Sequence, residues 1–519
     1  LKDLIFSEDA RIKMLSGVTK LASAVQCTMG PKGRNVLIQK KFNSHLTKDG
    51  VTVAKSVNLS DNIESIAANL VKEVASRTAD EAGDGTTTAT VLAHELYSQG
   101  IKNVTAGANP LEIKQGMDMA LKDVLEALKL DAINVTNYNE IVNVATISAN
   151  GDKNIGQIVA KANLEVGVDG LITVEEGKGL EDELKITKGL QFYNGYLWPY
   201  FVTNTAKMEV RMENPYILLY NDRIPNLKAI LPFLEKAQTT KKPLLIVCNN
   251  MDEEALNTLV VNKMRGNLDV CVVKSPGFGN IQDYLEDLRV MTGGNIQNPS
   301  KGVVITDVES DLGIATSVTV TNKSCSIVCK DANEAAVLDR VNELKEQLKT
   351  DTPLTQQIKQ RIAKLAGGVA VIKVQAPSEV ETKEKKDRVD DALGAIKAAQ
   401  EEGIVIGGGT ALYKIDLYKN LQNIDNDVNI GYKIVLDSIK RPFKQILKNA
   451  GLSHEKIAMG INEERYYGYN VRTNEYGNLY DLGVIDSYKV QRVALTNAIS
   501  VASTLLTTEC VIPLPDDTK

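Results

Sequence analysis

Apolar residues recur at helical spacing through Ile12, Leu15, Ala22 and Val25, and the run stops at Gly30-Pro31-Lys32-Gly33. Residues 35–38 and 51–53 have the composition of short strands, on either side of a turn at Lys48-Asp49-Gly50. Helical periodicity returns over 63–79, again from Thr88 to about Val104, and over 110–128. Past residue 131 the pattern changes. Gly170-Leu171-Ile172-Thr173-Val174 is strand-like, and 216–220, 244–248 and 270–273 are continuous apolar runs. Helical segments at 226–237 and 252–265 lie between those runs, which predicts a mixed or parallel sheet with helix cover. Glu379–Glu402 reads as a charged helix with an apolar stripe at Val389, Ala392, Leu393 and Ile396. A breaker cluster follows at 403–409, and helical patterns resume from about 410. Two helical ends thus flank an α/β middle. One domain built from both ends around an inserted middle fits that order, although the pattern alone does not require it.

Composition narrows the classes. A chain of 519 residues exceeds what one core supports, so roughly two to four domains are expected. Hydrophobic content of 43% and charged content of 24% are those of an ordinary globular protein. The net charge is −6 and no basic stripe appears, which argues against nucleic acid as a partner. No apolar run reaches the length of a membrane span. The opening segment, Leu1-Lys2-Asp3-Leu4-Ile5-Phe6-Ser7-Glu8-Asp9, reads as neither signal nor transit peptide. Six cysteines are scattered, with only Cys325 and Cys329 close, so a disulfide framework or structural zinc is not expected and a reducing compartment fits. His45, His94 and His454 are too dispersed in sequence to suggest a metal site or a catalytic triad.

The chemistry concentrates in Ala82-Gly83-Asp84-Gly85-Thr86-Thr87-Thr88-Ala89-Thr90. Asp84 is a hard oxygen ligand suited to Mg²⁺, and the flanking glycines admit close backbone approach. The threonines open a helix whose N-terminal N–H groups suit phosphate. A plain Gly-Asp turn with Thr caps would look the same. Four further segments read as parts of one nucleotide site. They are Thr28-Met29-Gly30-Pro31-Lys32-Gly33, Lys48-Asp49-Gly50, Gly407-Gly408-Gly409, and Asp391 as a carboxylate able to polarise an attacking water. Each alone is as well explained by a turn or a solvated helix face. Neither a G-x-x-x-x-G-K-[ST] nor a G-x-G-x-x-G segment occurs, so an ATP site here lies outside those classes.

Ala398-Ala399-Gln400-Glu401-Glu402, followed after four residues by Gly407-Gly408-Gly409, resembles the signature of group I chaperonins, the GroEL and mitochondrial type. Thr28 to Gly33, Lys48-Asp49-Gly50-Val51, Val71-Lys72-Glu73-Val74-Ala75-Ser76, Ala82 to Leu92, Lys364 to Val374 and Thr507-Thr508-Glu509-Cys510 resemble the family in the same order, over essentially the whole chain. The resemblance implies a multidomain α+β fold. A mostly helical equatorial domain would comprise 1–130 and 402–519, an α/β intermediate domain 131–187 and 377–401, and an inserted α/β apical domain 188–376. It implies an ATPase with ATP and Mg²⁺ as ligands, K⁺ as a further candidate, and Asp84 as the metal ligand. Thr28, Met29, Gly30, Pro31 and Lys48 would contact nucleotide and phosphate, and Gly85, Thr86, Thr87 and Thr88 would hold phosphates. Gly408, Asn470, Val471, Arg472 and Asp486 would bind the adenosine. Asp391 would serve hydrolysis, with Asp49 a second carboxylate near the γ-phosphate. Tyr196, Tyr200, Phe201, Leu231, Leu234, Leu256, Val260 and Val261 would bind unfolded or misfolded polypeptides or a co-chaperonin lid. Partners would include further copies of the chain in a homo-oligomeric, heptameric ring. The expected location is cytoplasmic, or the mitochondrial matrix after transit-peptide removal.

Departures from the family pattern matter for the cycle. Trp198 stands where a small polar residue is usual, Gln375 where a hinge glycine is usual, and Asn194 where an arginine commonly pairs with the carboxylate matched by Glu379. Lys444, Ser453 and Asn426 occupy positions where ring–ring charges are usual. The alternative to a full chaperonin cycle is therefore a ring-forming holdase that binds ATP without completing encapsulation. A metabolic ATP-dependent enzyme lacks any residue cluster for a small-molecule substrate.

Overall fold

The structure, a computed structural model, describes residues 5–39, 44–167, 170–177, 181–205, 207–277, 280–301, 307–330, 332–348, 357–358, 361–362, 364–365, 369–418 and 427–513. The chain forms two compact units. One comprises Leu1–Lys161, Val174–Asp182 and Lys373–Lys519, and the other Ala162–Thr173 with Glu183–Ile372. Asn426, the third of the altered charge positions, lies outside the described residues.

The first unit is a helical body drawn from both ends of the chain. Helix Ser7–Gln26 buries Ala10, Met14, Val18, Leu21 and Val25. Ile12, expected on that stripe, is instead exposed, because the buried face is centred on Met14 and Val18. Helices Asn62–Ala82, Thr86–Thr105 and Pro110–Asp131 pack with Asp427–Ser438 and Tyr488–Leu506 around one apolar core. The two ends also pair directly as strands, Ile5 opposite Val511 and Phe6 opposite Cys510.

Two local expectations change. Strand Val36–Gln39 pairs with Ser44–Thr47, whereas Gly50–Ser56 is a helix. The β-branched Val51, Thr52 and Val53 suggested a strand, but the Asp49 carboxylate accepts from the N–H groups of Val51 and Thr52 and caps a helix there. The breaker cluster at 403–409 encloses a short strand, Ile404–Ile406, antiparallel to Ile485–Ser487.

The second unit holds a parallel sheet in which Tyr216–Ile224, Leu244–Met251 and Val270–Lys274 run side by side. Helices Leu231–Thr240 and Glu253–Met264 form the crossovers, as the alternating pattern predicts. An antiparallel set, Glu183–Phe192, Cys325–Cys329, Ser317–Val320 and Val210–Glu213, completes the core of this unit. Cys325 and Cys329 terminate a fully buried strand, and all six cysteines are free thiols.

Candidate functional site

The polar centre of the first unit begins where helix Asn62–Ala82 ends. Gly83 takes φ 72° and Gly85 φ 86°, so the chain turns sharply on both sides of Asp84 into helix Thr86–Thr105. That helix has no side-chain cap, in contrast to the Thr-capped turn that was the plain reading of the segment. Its first N–H groups therefore lack the side-chain partner that Asp49 and Asp61 give the two helices before it.

Other elements converge on this terminus. Gly50 packs so closely that a Cβ there would lie 2.4 Å from Thr87 Oγ1, which seats the Asp49 turn on the threonines. Thr28 Oγ1 lies 3.4 Å from Thr87 Oγ1. The Asn449 amide donates to the carbonyls of Gln26 and Met29 at 2.8 and 2.9 Å and holds the turn that carries Gly30. Thr28 and Met29 are buried, while Pro31 is exposed. Helix Glu379–Glu402 reaches the same place through a glycine–glycine contact. A Cβ on Gly83 would stand 2.5 Å from Gly394 Cα, so only two glycines allow the approach. Asp391 sits on this helix one turn before Gly394.

The electrostatics follow from that crowding. Burial pushes the Asp84 carboxyl above the ordinary carboxylate range, and the charge of Asp49 pushes it further. The Ser148 hydroxyl, at 2.6 Å, and the Gly85 N–H partly offset this. Asp391 is raised well above its ordinary value by burial and then by Asp84 and Asp49. Asp486 is pushed up to about 6 by burial and by Asp84, against the opposing hydrogen bond from Gln491 at 3.0 Å. Burial lowers Lys48, and the Arg388 charge lowers it further against the attraction of Glu384. A cavity of about 80 Å³ lies beside Asp84 and Asp486, and Gly85, Thr88 and Ser148 complete its polar lining.

Gly407, Gly408 and Gly409 form the next wall. Gly408 takes φ 65°, and an added Cβ would meet nothing closer than 3.7 Å, which leaves its face open. Beyond it, Asn470 closes strand Tyr467–Asn470, and its side-chain oxygen accepts from the N–H groups of Arg472 and Thr473. Asn470 and Val471 are buried, whereas the Arg472 side chain is exposed and donates to the carbonyl of Gly151.

Among the described residues, no three His, Cys, Asp or Glu side chains converge as a metal site. The donor set suits Mg²⁺ in another way. That ion takes one or two carboxylates and completes its shell with phosphate and water oxygens. Crowded carboxylates beside an uncapped helix N-terminus offer that combination.

The TCP-1/cpn60 chaperonin family model matches residues 21–515. The chain belongs to that family. Two crystal forms of the chaperonin gp146 from the bacteriophage EL 2 (Pseudomonas aeruginosa), in presence of ATP-BeFx, share the chaperonin fold. Form II gives a TM-score of 0.66 at 24% identity over 98% of each chain, and form I gives 0.61 at 22% over 99% of each.

In the second unit of this chaperonin, the apolar residues expected at a binding surface divide. Tyr200, Leu231 and Val261 are exposed and Tyr196 is half-buried. Phe201 is fully buried, and Leu234, Leu256 and Val260 are 8%, 5% and 6% exposed. In this conformation those four belong to the core beneath the surface, because each helix turns its other face to the sheet. Trp198 is half-buried, edge-on to Tyr200 at 6.0 Å. Asn194 donates to the carbonyl of Ser275, and Glu379 pairs with Lys383 of its own helix.

Sequence reasoning missed three contributors in the first unit: Ser148, Gly394 and Asn449. The Asn-Gly-Asp turn at 150–152 flags the neighbourhood of Ser148. Gly394 and Asn449 leave no local signal, since each acts only on a residue distant in the chain.

Proposed function

We propose that this chaperonin is an ATP-hydrolysing ring subunit that captures non-native polypeptides and promotes their folding through a nucleotide-driven cycle. The observation that carries the reading is the uncapped N-terminus of helix Thr86–Thr105 behind Asp84, with Asp391 brought onto it through Gly83 and Gly394.

In this reading the free N–H groups of Thr86, Thr87 and Thr88 receive phosphate oxygens, and the threonine hydroxyls add further donors. Lys48, whose pKa burial lowers from the ordinary lysine value, supplies a compact cation for the phosphates. Asp84 would hold Mg²⁺, which would supply neutralisation of the phosphate charge. Gly408 lets the nucleoside lie against bare backbone, between Asp486 and the segment Asn470–Val471. Asp391 accepts a hydrogen bond from the attacking water and orients it towards the γ-phosphorus, with Asp49 a second carboxylate nearby. A carboxyl with a raised pKa is a stronger base once ionised, which suits that role. Tyr200, Leu231 and Val261 offer apolar side chains to extended, non-native chains.

Comparing wild type with Asp391→Ala tests the reading. Retained ATP binding with hydrolysis lost in the variant supports it, and equal turnover in both overturns it.

A ring-forming holdase is the second reading, favoured by Gln375. Its N–H donates to Asp182, its carbonyl accepts from Lys385, and its side chain fills the space a Cβ on Gly177 would need. A residue clamped in this way resists the backbone rotation that glycine permits. Client release that does not respond to ATP would favour this second reading.

A further inference from the structure

We propose that Arg472 is a positioning residue: it latches the turn at 150–152, and through that turn it holds the Asp391 helix against the nucleotide site. Three contacts radiate from the segment 148–152. Ser148 donates to Asp84 at 2.6 Å. Asp152 pairs with Arg388 at 3.0 Å, one turn before Asp391 on its helix. Between them, the Gly151 carbonyl receives the Arg472 guanidinium. One short stretch thus touches the phosphate loop, the helix of the water-activating carboxylate and the hairpin on the nucleoside side.

The turn is built for this contact. Asn150 and Gly151 both take positive φ, 57° and 83°, so the chain reverses at once after helix Tyr138–Ser148. Their N–H groups bond back to the carbonyls of Ile147 and Thr146 at 3.1 and 2.7 Å. That leaves the Gly151 carbonyl facing outward as an acceptor. A Cβ on Gly151 would meet the tip of the Arg472 guanidinium, so any larger residue there has to push that side chain off the carbonyl. On the opposite side, Asn470 accepts from the Arg472 N–H at 2.9 Å and fixes the base of the side chain. A charged donor to a neutral carbonyl is among the stronger single hydrogen bonds. The guanidinium spends it on the protein, not on a ligand.

The kinetic part of this inference rests on the ATPase reading, whereas the latch itself does not. Hydrogen exchange of the full-length, nucleotide-free protein separates the two. In Arg472→Ala the amides of Asn150 and Gly151 should exchange about tenfold faster than in wild type. Gly151→Asn tolerates positive φ but displaces the guanidinium, so it should give the same increase. The double variant should add nothing further, as for two halves of one contact. Arg472→Lys should restore slow exchange, because one carbonyl needs only one donor. In hydrolysis, Arg472→Ala should lower kcat by roughly three- to tenfold and leave nucleotide affinity within about twofold. Unchanged exchange in Arg472→Ala overturns the latch. So does an affinity loss with kcat preserved, which would make Arg472 a direct nucleotide ligand. A wild-type protein without hydrolysis refutes the ATPase reading, and the exchange result still decides the latch.

Discussion

The Ser148 hydroxyl donates to the Asp84 carboxylate at 2.6 Å, joining two loops that are far apart in the chain. This bond and the Gly85 N–H are what oppose the rise in the Asp84 pKa. Ser148→Ala would leave the buried carboxylate short of a donor. The nucleotide-free protein should lose about 1–3 kcal/mol at neutral pH, the range for stranding a buried charged acceptor. Protonating Asp84 removes the need for the donor, so the loss should shrink as pH falls. Urea unfolding at neutral and acidic pH measures both. A pH-independent loss would mean that Ser148 acts by packing instead.

Asp391 is expected to trade stability against chemistry. Its carboxyl is buried among Asp84 and Asp49, which favours the protonated form. Asp391→Asn removes the repulsion, so the nucleotide-free variant should unfold at a higher temperature than wild type. Asp391→Ala should keep nucleotide binding and lower hydrolysis by about a hundredfold or more, the scale of a lost general base. Thermal unfolding and single-turnover hydrolysis check the two halves separately.

Asp486 gives the clearest pH dependence. Its folded pKa of about 6 lies above the 3.8 of the free side chain. The folded state therefore keeps the proton longer than the unfolded state does. The contribution of this group is most favourable below the unfolded value and is lost as pH rises towards 6. Asp486→Asn should gain on wild type across that window by roughly 2 kcal/mol and hold a constant lead above it. Denaturation midpoints of both proteins between pH 4 and 7, without nucleotide, provide the measurement. A difference that stays flat across the window would refute the assignment.

The fold was legible where periodicity is long. Helices Asn62–Ala82, Pro110–Asp131 and Glu379–Glu402 carry apolar stripes that a sequence shows directly, and the apolar runs around Leu218, Ile246 and Val272 became adjacent parallel strands. Legibility failed at short elements. Val51 to Val53 read as a strand from their β-branched side chains until the Asp49 cap decided for a helix. Ile404–Ile406 is too short to show against its glycine neighbours. At the site, Asp84 and its glycines announce a turn beside a helix, which is local chemistry. Gly394 does not, because its lack of a side chain acquires meaning only against Gly83. The apolar set in the second unit shows the same limit. Leu231 and Leu234 look alike in sequence, and only packing separates the exposed one from the buried one.

That separation changes what substitutions in the second unit should do. Leu231→Ser and Val261→Ser alter exposed side chains, so they should reduce capture of an unfolded client by about half or more while leaving stability and basal hydrolysis near wild type. Leu234→Ser removes a buried side chain and should instead cost about 2–4 kcal/mol of the second unit's stability. Aggregation-protection assays beside thermal unfolding distinguish the two classes. Undiminished capture with Leu231→Ser and Val261→Ser would place the client surface elsewhere.

The final expectation concerns assembly. Ser453 stands where the family usually has an acid, and in this chaperonin its hydroxyl is occupied locally. It donates to Glu455 at 2.8 Å and accepts from the Lys456 N–H as the cap of helix His454–Met459. A neutral cap cannot attract a basic residue of another ring in the way a carboxylate does. Glu455 is mostly exposed and lies beside the His454 ring, at 3.5 Å, so some negative charge persists near that surface. Exposed ion pairs contribute little singly and are screened by salt. Contacts between rings that rely on what remains should therefore be weak and salt-sensitive, whereas contacts within a closed ring are set by other surfaces. Single rings are expected to be a substantial species, and their share should grow as salt is raised. Mass measurement by light scattering across salt and nucleotide conditions tests this. Ser453→Glu should shift the population towards double rings at low salt, since it restores a carboxylate where the hydroxyl now stands. Double rings alone under every condition, in both wild type and variant, would show that apolar contacts and not these charges govern stacking.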